Sequence, residues 1–241
     1  MKYQNCIFDL YGTLVDIHTD ELSPRLWKEM AALYRKQGAS YTAKELRENY
    51  FRIARETEQQ PPFVHEAHPE IKIEKVFQQL FTNKGVNADI KLGIAMGEYF
   101  RKSSIEYIRL YDGTKEMLQA LRRGGQGVWL LSNAQRVFTA PEITGLGIEE
   151  LFDGIYLSSD YGCKKPALRF FNTLLSERQI PAETAIMVGN DAVCDIQGAQ
   201  AAGLHTLYIR TDVSPEEPLP EADYALKEMD MKRVRDILTQ E

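Results

Sequence analysis

Short apolar runs recur along the chain, each bounded by polar or turn-forming positions. Residues 4–9 (QNCIFD), 127–132 (GVWLLS), 154–158 (GIYLS), 185–189 (AIMVG) and 205–209 (HTLYI) read as strands, and 222–226 offers a further edge strand. Between them lie segments with helical spacing of apolar positions, TKEMLQALRR, LRFFNTLLSERQ and CDIQGAQAAG. The small residues of the last allow a helix to pack closely on a sheet. Strands that alternate with helices predict a parallel sheet covered on both faces.

The texture changes after the first strand. From Asp16 to about Tyr107 the chain is charged and helical in period, as in LWKEMAALYRKQG, AKELRENYFRIARE and IEKVFQQLFTNKG, with no convincing strand. Ser23-Pro24 reads as a helix start, and Gln60-Pro61-Pro62 interrupts the pattern. The expectation is an α/β core of residues 1–15 and 108–241, interrupted by an all-helical block at 16–107. The chain should cross between the two near Val15–Thr19 and Ile105–Asp112.

Composition narrows the partners. A hydrophobic fraction of 44% and a net charge of -6 in 241 residues suit a globular protein and argue against nucleic acid or an anionic membrane as the main partner. Three cysteines without paired spacing and no visible signal peptide point to a reducing cytoplasm. No apolar run reaches the ~20 residues that span a bilayer. Oligomeric state leaves no mark in the pattern.

In an open parallel sheet, ligands bind beyond the carboxyl ends of the strands. Four of the predicted strands deliver polar residues to that edge: Asp9, then Ser132-Asn133, then Lys165, then Asn190-Asp191 with Asp195. A lone strand-end Asp is usually a helix cap. Four such arrivals at one edge suggest a site.

Phe8-Asp9-Leu10-Tyr11-Gly12-Thr13-Leu14, Leu131-Ser132-Asn133, Lys165-Pro166 and Val188-Gly189-Asn190-Asp191 followed by Asp195 resemble, in order, the four motifs of the haloacid dehalogenase-like (HAD) hydrolase superfamily. The helical block resembles its type 1 cap. The resemblance implies a doubly wound, Rossmann-like core with an inserted helical cap domain, and hydrolysis through a covalent aspartyl intermediate on Asp9. It also implies that Ser132, Asn133, Gly12, Thr13 and nearby main-chain N–H groups hold the substrate's anionic group. Lys165, directly before the proline, would neutralise nucleophile and transferred group. Magnesium, suited to oxygen ligands, would be held by Asp9, the Tyr11 carbonyl and an acid of the fourth motif, with Asn190, Asp191 and Asp195 as candidates. The commoner family pattern has Asp where this chain has Asn190, so the choice between Asn190 and Asp191 stays open.

Tyr11 is the departure. Most HAD phosphatases carry a second Asp two residues after the nucleophile as general acid and base. With a pKa near ~10, Tyr is rarely available as a base at neutral pH. The L-2-haloacid dehalogenases do carry Asp-x-Tyr-Gly-Thr, and a halide leaves without a proton. Against carbon–halogen hydrolysis stand the retained Asp191 and Asp195, Phe171 where those enzymes have Tyr, and Ala134 after Ser132-Asn133. A halide cradle would also need a cap arginine, with Arg25, Arg35, Arg52 and Arg55 as candidates. The favoured expectation is a magnesium-dependent phosphatase on a small phosphorylated metabolite, with weakened acid–base chemistry. A 2-haloacid dehalogenase is the second reading. A catalytically feeble fold that binds a phosphorylated ligand or a protein is the third.

Other features read as structural. The cluster His65-Glu66-Ala67-His68 lacks metalloprotease spacing and is expected to be a solvated loop. Cys194 is expected to be a buried packing residue, Tyr99-Phe100 and Phe170-Phe171 core aromatics, and Glu216-Glu217 surface.

Overall fold

The computed structural model describes residues 2–59, 66–212, 214 and 219–240. His65, Pro62, Glu216 and Glu217 lie outside them. In chain order the elements are β1 (Asn5–Phe8), β2 (Val15–Thr19), α1 (Pro24–Lys36), α2 (Ala43–Glu58), α3 (Ile73–Thr82), α4 (Ile90–Ser104), β3 (Ile105–Leu110), α5 (Thr114–Arg123), β4 (Gly127–Ser132) and α6 (Arg136–Leu146). Then come β5 (Gly154–Leu157), α7 (Ser158–Tyr161), α8 (Leu168–Arg178), β6 (Ala185–Gly189), a π-helical turn at Ala192–Gln197, α9 (Gly198–Ala201), β7 (His205–Ile209), β8 (Tyr224–Leu226) and α10 (Met231–Leu238).

Six strands form one parallel sheet in the order β5-β4-β1-β6-β7-β8. Side chains alternate across it. Cys6, Phe8, Val128, Leu130, Ile186, Val188, Leu207 and Ile209 enter one core with α5, α6 and α10. Ile7, Leu131, Ala185 and Met187 enter the other with α8 and α9. Burial on both faces explains why these strands read as continuous apolar runs instead of alternating ones. This is the doubly wound, Rossmann-like architecture expected. Phe8 is in register with Leu130 and Val188, so Asp9 leaves the sheet level with the ends of β4 and β6.

The helical block, α1 to α4, has its own core around Trp27, Tyr34, Tyr50, Phe77 and Phe100, joined by Val137 and Phe138 of α6. Its helices start where local chemistry directs: Pro24 in the first turn of α1, a Thr42–Glu45 capping box on α2, and the Asp89 carboxylate capping α4. The expectation of no strand between 16 and 107 fails at both ends. Val15–Thr19 and Ile105–Leu110 pair as an antiparallel ribbon, with Asp16 opposite Arg109 and Ile17 opposite Ile108. Each is too short to stand alone, and pairing satisfies the main-chain groups of both connections at once.

Tyr99 departs from its expected role as a core aromatic: it is 37% exposed, whereas Phe100, Phe170 and Phe171 are fully buried. A second contact between block and core follows α2. His68 accepts from the Lys164 amide, Lys164 pairs with Glu58 at 3.0 Å, and Glu66 pairs with Arg169.

Candidate active site

The turn after β1 is tight. The amides of Leu14 and Val15 both donate to the Leu10 carbonyl, and Gly12 takes φ +77°. A side chain at Gly12 would also meet Asn190 Nδ2 at 2.4 Å, so the position suits glycine on two counts.

Asp9, Ser132, Lys165, Asp191 and Asp195 converge on one cleft of about 200 Å³, which Tyr11, Asn133, Asn190 and Cys194 also line. Asp9 Oδ1 accepts from Ser132 Oγ at 3.0 Å and from Lys165 Nζ at 2.8 Å. Lys165 is 2% exposed, and its ammonium makes two more bonds, to the Leu131 carbonyl and to Asp195 Oδ1, both at 2.7 Å. All three of its hydrogens are therefore used. Burial works against the charge on Lys165, but Asp195 and Asp9 outweigh it and hold the pKa above the usual lysine value. Burial pushes the Asp195 carboxyl up, with Lys165 pulling the other way.

Asp195 spends both oxygens inside the protein. Oδ1 meets Lys165, and Oδ2 accepts from the amides of Asn190 and Asp191 at 3.0 and 2.9 Å. It clamps the turn through both oxygens. Gly189 makes this possible, since a Cβ there would sit 2.2 Å from Asp195 Oδ2. Asp191 Oδ1 caps the π-helical turn by accepting from Val193 and Cys194, and Oδ2 has no hydrogen-bond partner among the described residues. The same holds for Asp9 Oδ2. Among the described residues no three His, Cys, Asp or Glu side chains group to hold a metal. Two carboxylates, each with an oxygen to spare in one cleft, do fit magnesium, which usually takes one or two carboxylates and keeps several waters.

Three expected substrate contacts make bonds or contacts within the protein. Asn133 is locked to the Lys165 main chain, accepting from its amide at 2.7 Å and donating to its carbonyl at 3.0 Å. Thr13 is fully buried and donates to Asn190 Oδ1 at 3.2 Å, and Gly12 packs on the same side chain. Cys194 departs from the expected buried role; it is half-buried on the cleft wall, its thiol pushed up to about 11 by burial and the nearby Asp191 and Asp195. Arg25, Arg35, Arg52 and Arg55 are exposed, none lines the cleft, and Arg25 and Arg52 pair with Glu29 and Glu56.

The Tyr11 hydroxyl faces helix α6. It donates to Glu142 Oε2 at 2.5 Å and lies 2.9 Å from Thr139 Oγ1. Glu142 is held by Arg101 of α4 at 2.6 Å, and the guanidinium sits 5.4 Å from the Tyr11 ring centroid. Burial, then the Glu142 charge, drives the phenol pKa well above its usual value. Sequence reasoning missed Arg101 and Glu142. Each stands in an ordinary helical segment, and nothing local distinguishes it from a surface charge.

A parallel sheet with a nucleophile-like Asp at one strand end, a buried Lys from another and an acidic turn from a third defines a hydrolase of the haloacid dehalogenase type. The comparisons agree, for the haloacid dehalogenase-like hydrolase family model matches residues 3–203. This chain belongs to that family. It is 31% identical to ribulose-1,5-bisphosphate 5-phosphatase of Halopiger xanaduensis, over 56% of each chain. It spans about half the length of several curated relatives it matches. Two solved structures share the fold. The 2-haloacid dehalogenase of Pseudomonas syringae pv. Tomato covers 98% of both chains at 17% identity and TM-score 0.70. The HAD-hydrolase YfnB of Bacillus subtilis, bound to magnesium, covers both chains fully at 18% identity and TM-score 0.57.

Proposed function

We propose that this hydrolase is a magnesium-dependent phosphatase for a small phosphorylated metabolite, with Asp9 as nucleophile and residues 16–107 as its cap domain. The observation that carries the reading is that Asp191 and Asp9, each with an unspent oxygen, line one cleft. A halide displacement has no use for a second free carboxylate in the cleft, whereas a cation-assisted phosphoryl transfer does. The phosphatase relative and the magnesium-bound neighbour add support.

Asp9, the Tyr11 carbonyl and Asp191 would hold the ion, with Asn190 turned to Thr13 and Asp195 to Lys165. Magnesium there would offset charge on the transferred phosphoryl oxygens. Ser132 and Lys165 fix Asp9 Oδ1, which orients the carboxylate for attack. The carboxylate forms a bond to phosphorus as the bond to the leaving oxygen breaks. Water then cleaves the aspartyl-phosphate, releasing inorganic phosphate and restoring Asp9. Lys165, held charged, neutralises the negative charge that accumulates in each step.

Tyr11 favours the second reading, carbon–halogen hydrolysis at the same Asp9. A panel of phosphomonoesters and 2-haloacids, assayed with magnesium and with EDTA, separates the two. The expected result is phosphate release that EDTA abolishes, magnesium restores and Asp9→Asn eliminates. Brisk hydrolysis of 2-chloropropionate in EDTA, with every phosphoester untouched, refutes the proposal.

A further inference from the structure

Cleaving an ester P–O bond expels an alkoxide unless a side chain delivers a proton as the bond breaks. Each proton-bearing group on the cleft wall can be checked for a hydrogen to give. The Tyr11 hydroxyl is already committed to Glu142, and Arg101 fixes that carboxylate in place. The three hydrogens of Lys165 go to Asp9, Asp195 and the Leu131 carbonyl. Ser132 donates to Asp9, and the Cys194 thiol on the cleft wall is turned to the Asp191 carboxylate. Asp195 accepts at both oxygens, and Asp191 accepts two amides at one. In each of these contacts the carboxylate is the acceptor and none of them presents a donor to the cleft. Among the described residues, no side chain lining this cleft is placed to protonate a leaving oxygen.

From this we infer that the enzyme selects phosphorylated substrates whose leaving group departs as a stable anion: acyl phosphates above all, then enol and aryl phosphates, with simple alkyl phosphates poor substrates. The inference rests on the phosphatase reading above and adds the substrate class. A carboxylate leaving group, with an ordinary pKa near ~4, needs no proton at neutral pH. In the balanced step the Asp9 carboxylate bonds to phosphorus, and the acyl C–O–P bridge breaks on the phosphorus side. The electron pair stays on the departing carboxylate. For an alkyl ester the same step must expel an alkoxide that only water can protonate. Missing general-acid help typically costs ~10²–10⁴ in rate.

The test compares acetyl phosphate, phenyl phosphate and glycerol 3-phosphate under magnesium, with spontaneous hydrolysis subtracted, on wild type and on Tyr11→Asp. The wild type should favour acetyl phosphate over glycerol 3-phosphate by at least ~10²-fold in kcat/KM, with phenyl phosphate between. Tyr11→Asp releases Glu142 and places a carboxyl two residues from Asp9, so it should raise glycerol 3-phosphate turnover by at least ~10-fold and compress the ratio. Should that variant fold poorly, the wild-type ordering alone decides. Equal kcat/KM for all three wild-type substrates overturns the inference while leaving a phosphatase. Failure to release phosphate from any of them overturns the phosphatase reading itself.

Discussion

Replacing Lys165 by Met tests how the site is held together. Met keeps most of the length and volume but removes the ammonium, so the change isolates charge and hydrogen bonding from packing. The ammonium bridges two carboxylates, one of which, Asp195, is 1% exposed. Removing one partner of a buried ion pair leaves an uncompensated charge and costs about 3–5 kcal/mol. In a domain of this size each kcal/mol shifts the midpoint by about 2–4 °C, so Lys165→Met should melt roughly 6–20 °C lower at pH 7. The assay is thermal unfolding in EDTA, where no divalent ion steadies the carboxylates. Its pH dependence gives a second reading. Burial already raises the Asp195 pKa, and losing Lys165 removes the largest opposing influence and leaves only the amide bonds of the turn to pull it back. The folded variant then binds a proton more readily than the unfolded chain, so its stability rises as pH falls toward the ordinary carboxylate range. The deficit against wild type should narrow between pH 7 and pH 5. Activity should fall by ~10²–10³, as for loss of a buried donor that stabilises developing charge. A loss of stability below about 1 kcal/mol at pH 7, or a deficit that widens on acidification, would refute the electrostatic account of this cluster.

Gly189→Ala should cost about 3 kcal/mol and most of the activity, because the new methyl displaces Asp195 and with it the amides of Asn190 and Asp191; urea unfolding would show it, and an unchanged midpoint would contradict it. Arg101→Met takes the cation away from the nearly buried Glu142 and leaves it only its Tyr11 contact, for an expected loss of about 3 kcal/mol. A double-mutant cycle with Glu142→Gln should return a coupling above about 1 kcal/mol; additive effects would mean that the pair contributes little.

The parallel core was legible because its information is local. A strand buried on both faces must be apolar at every position, and five runs of that kind show in the sequence as they stand in the sheet. Their ends followed directly, since the residue after each run must leave the sheet at its carboxyl edge. That puts Asp9, Ser132 and Asp191 at one crevice, and the resemblance of Lys165-Pro166 to the third family motif adds Lys165 to it. The ribbon was not legible, because Asp16 and Arg109 are polar partners 93 residues apart and neither strand is stable without the other. The division of labour within the site was equally hidden. Asn133, Thr13 and Asp195 resemble substrate or metal groups by position, but their polar atoms are consumed by Lys165, Asn190 and the acidic turn. Tyr11 is the clearest instance. Its identity announced an unusual acid–base arrangement, whereas its hydroxyl is committed by Glu142, 131 residues away, and by the Arg101 that holds it. Hydrogen-bond partners are decided by which elements pack together, and only the tertiary structure brings α4, α6 and the turn after β1 into reach of one another.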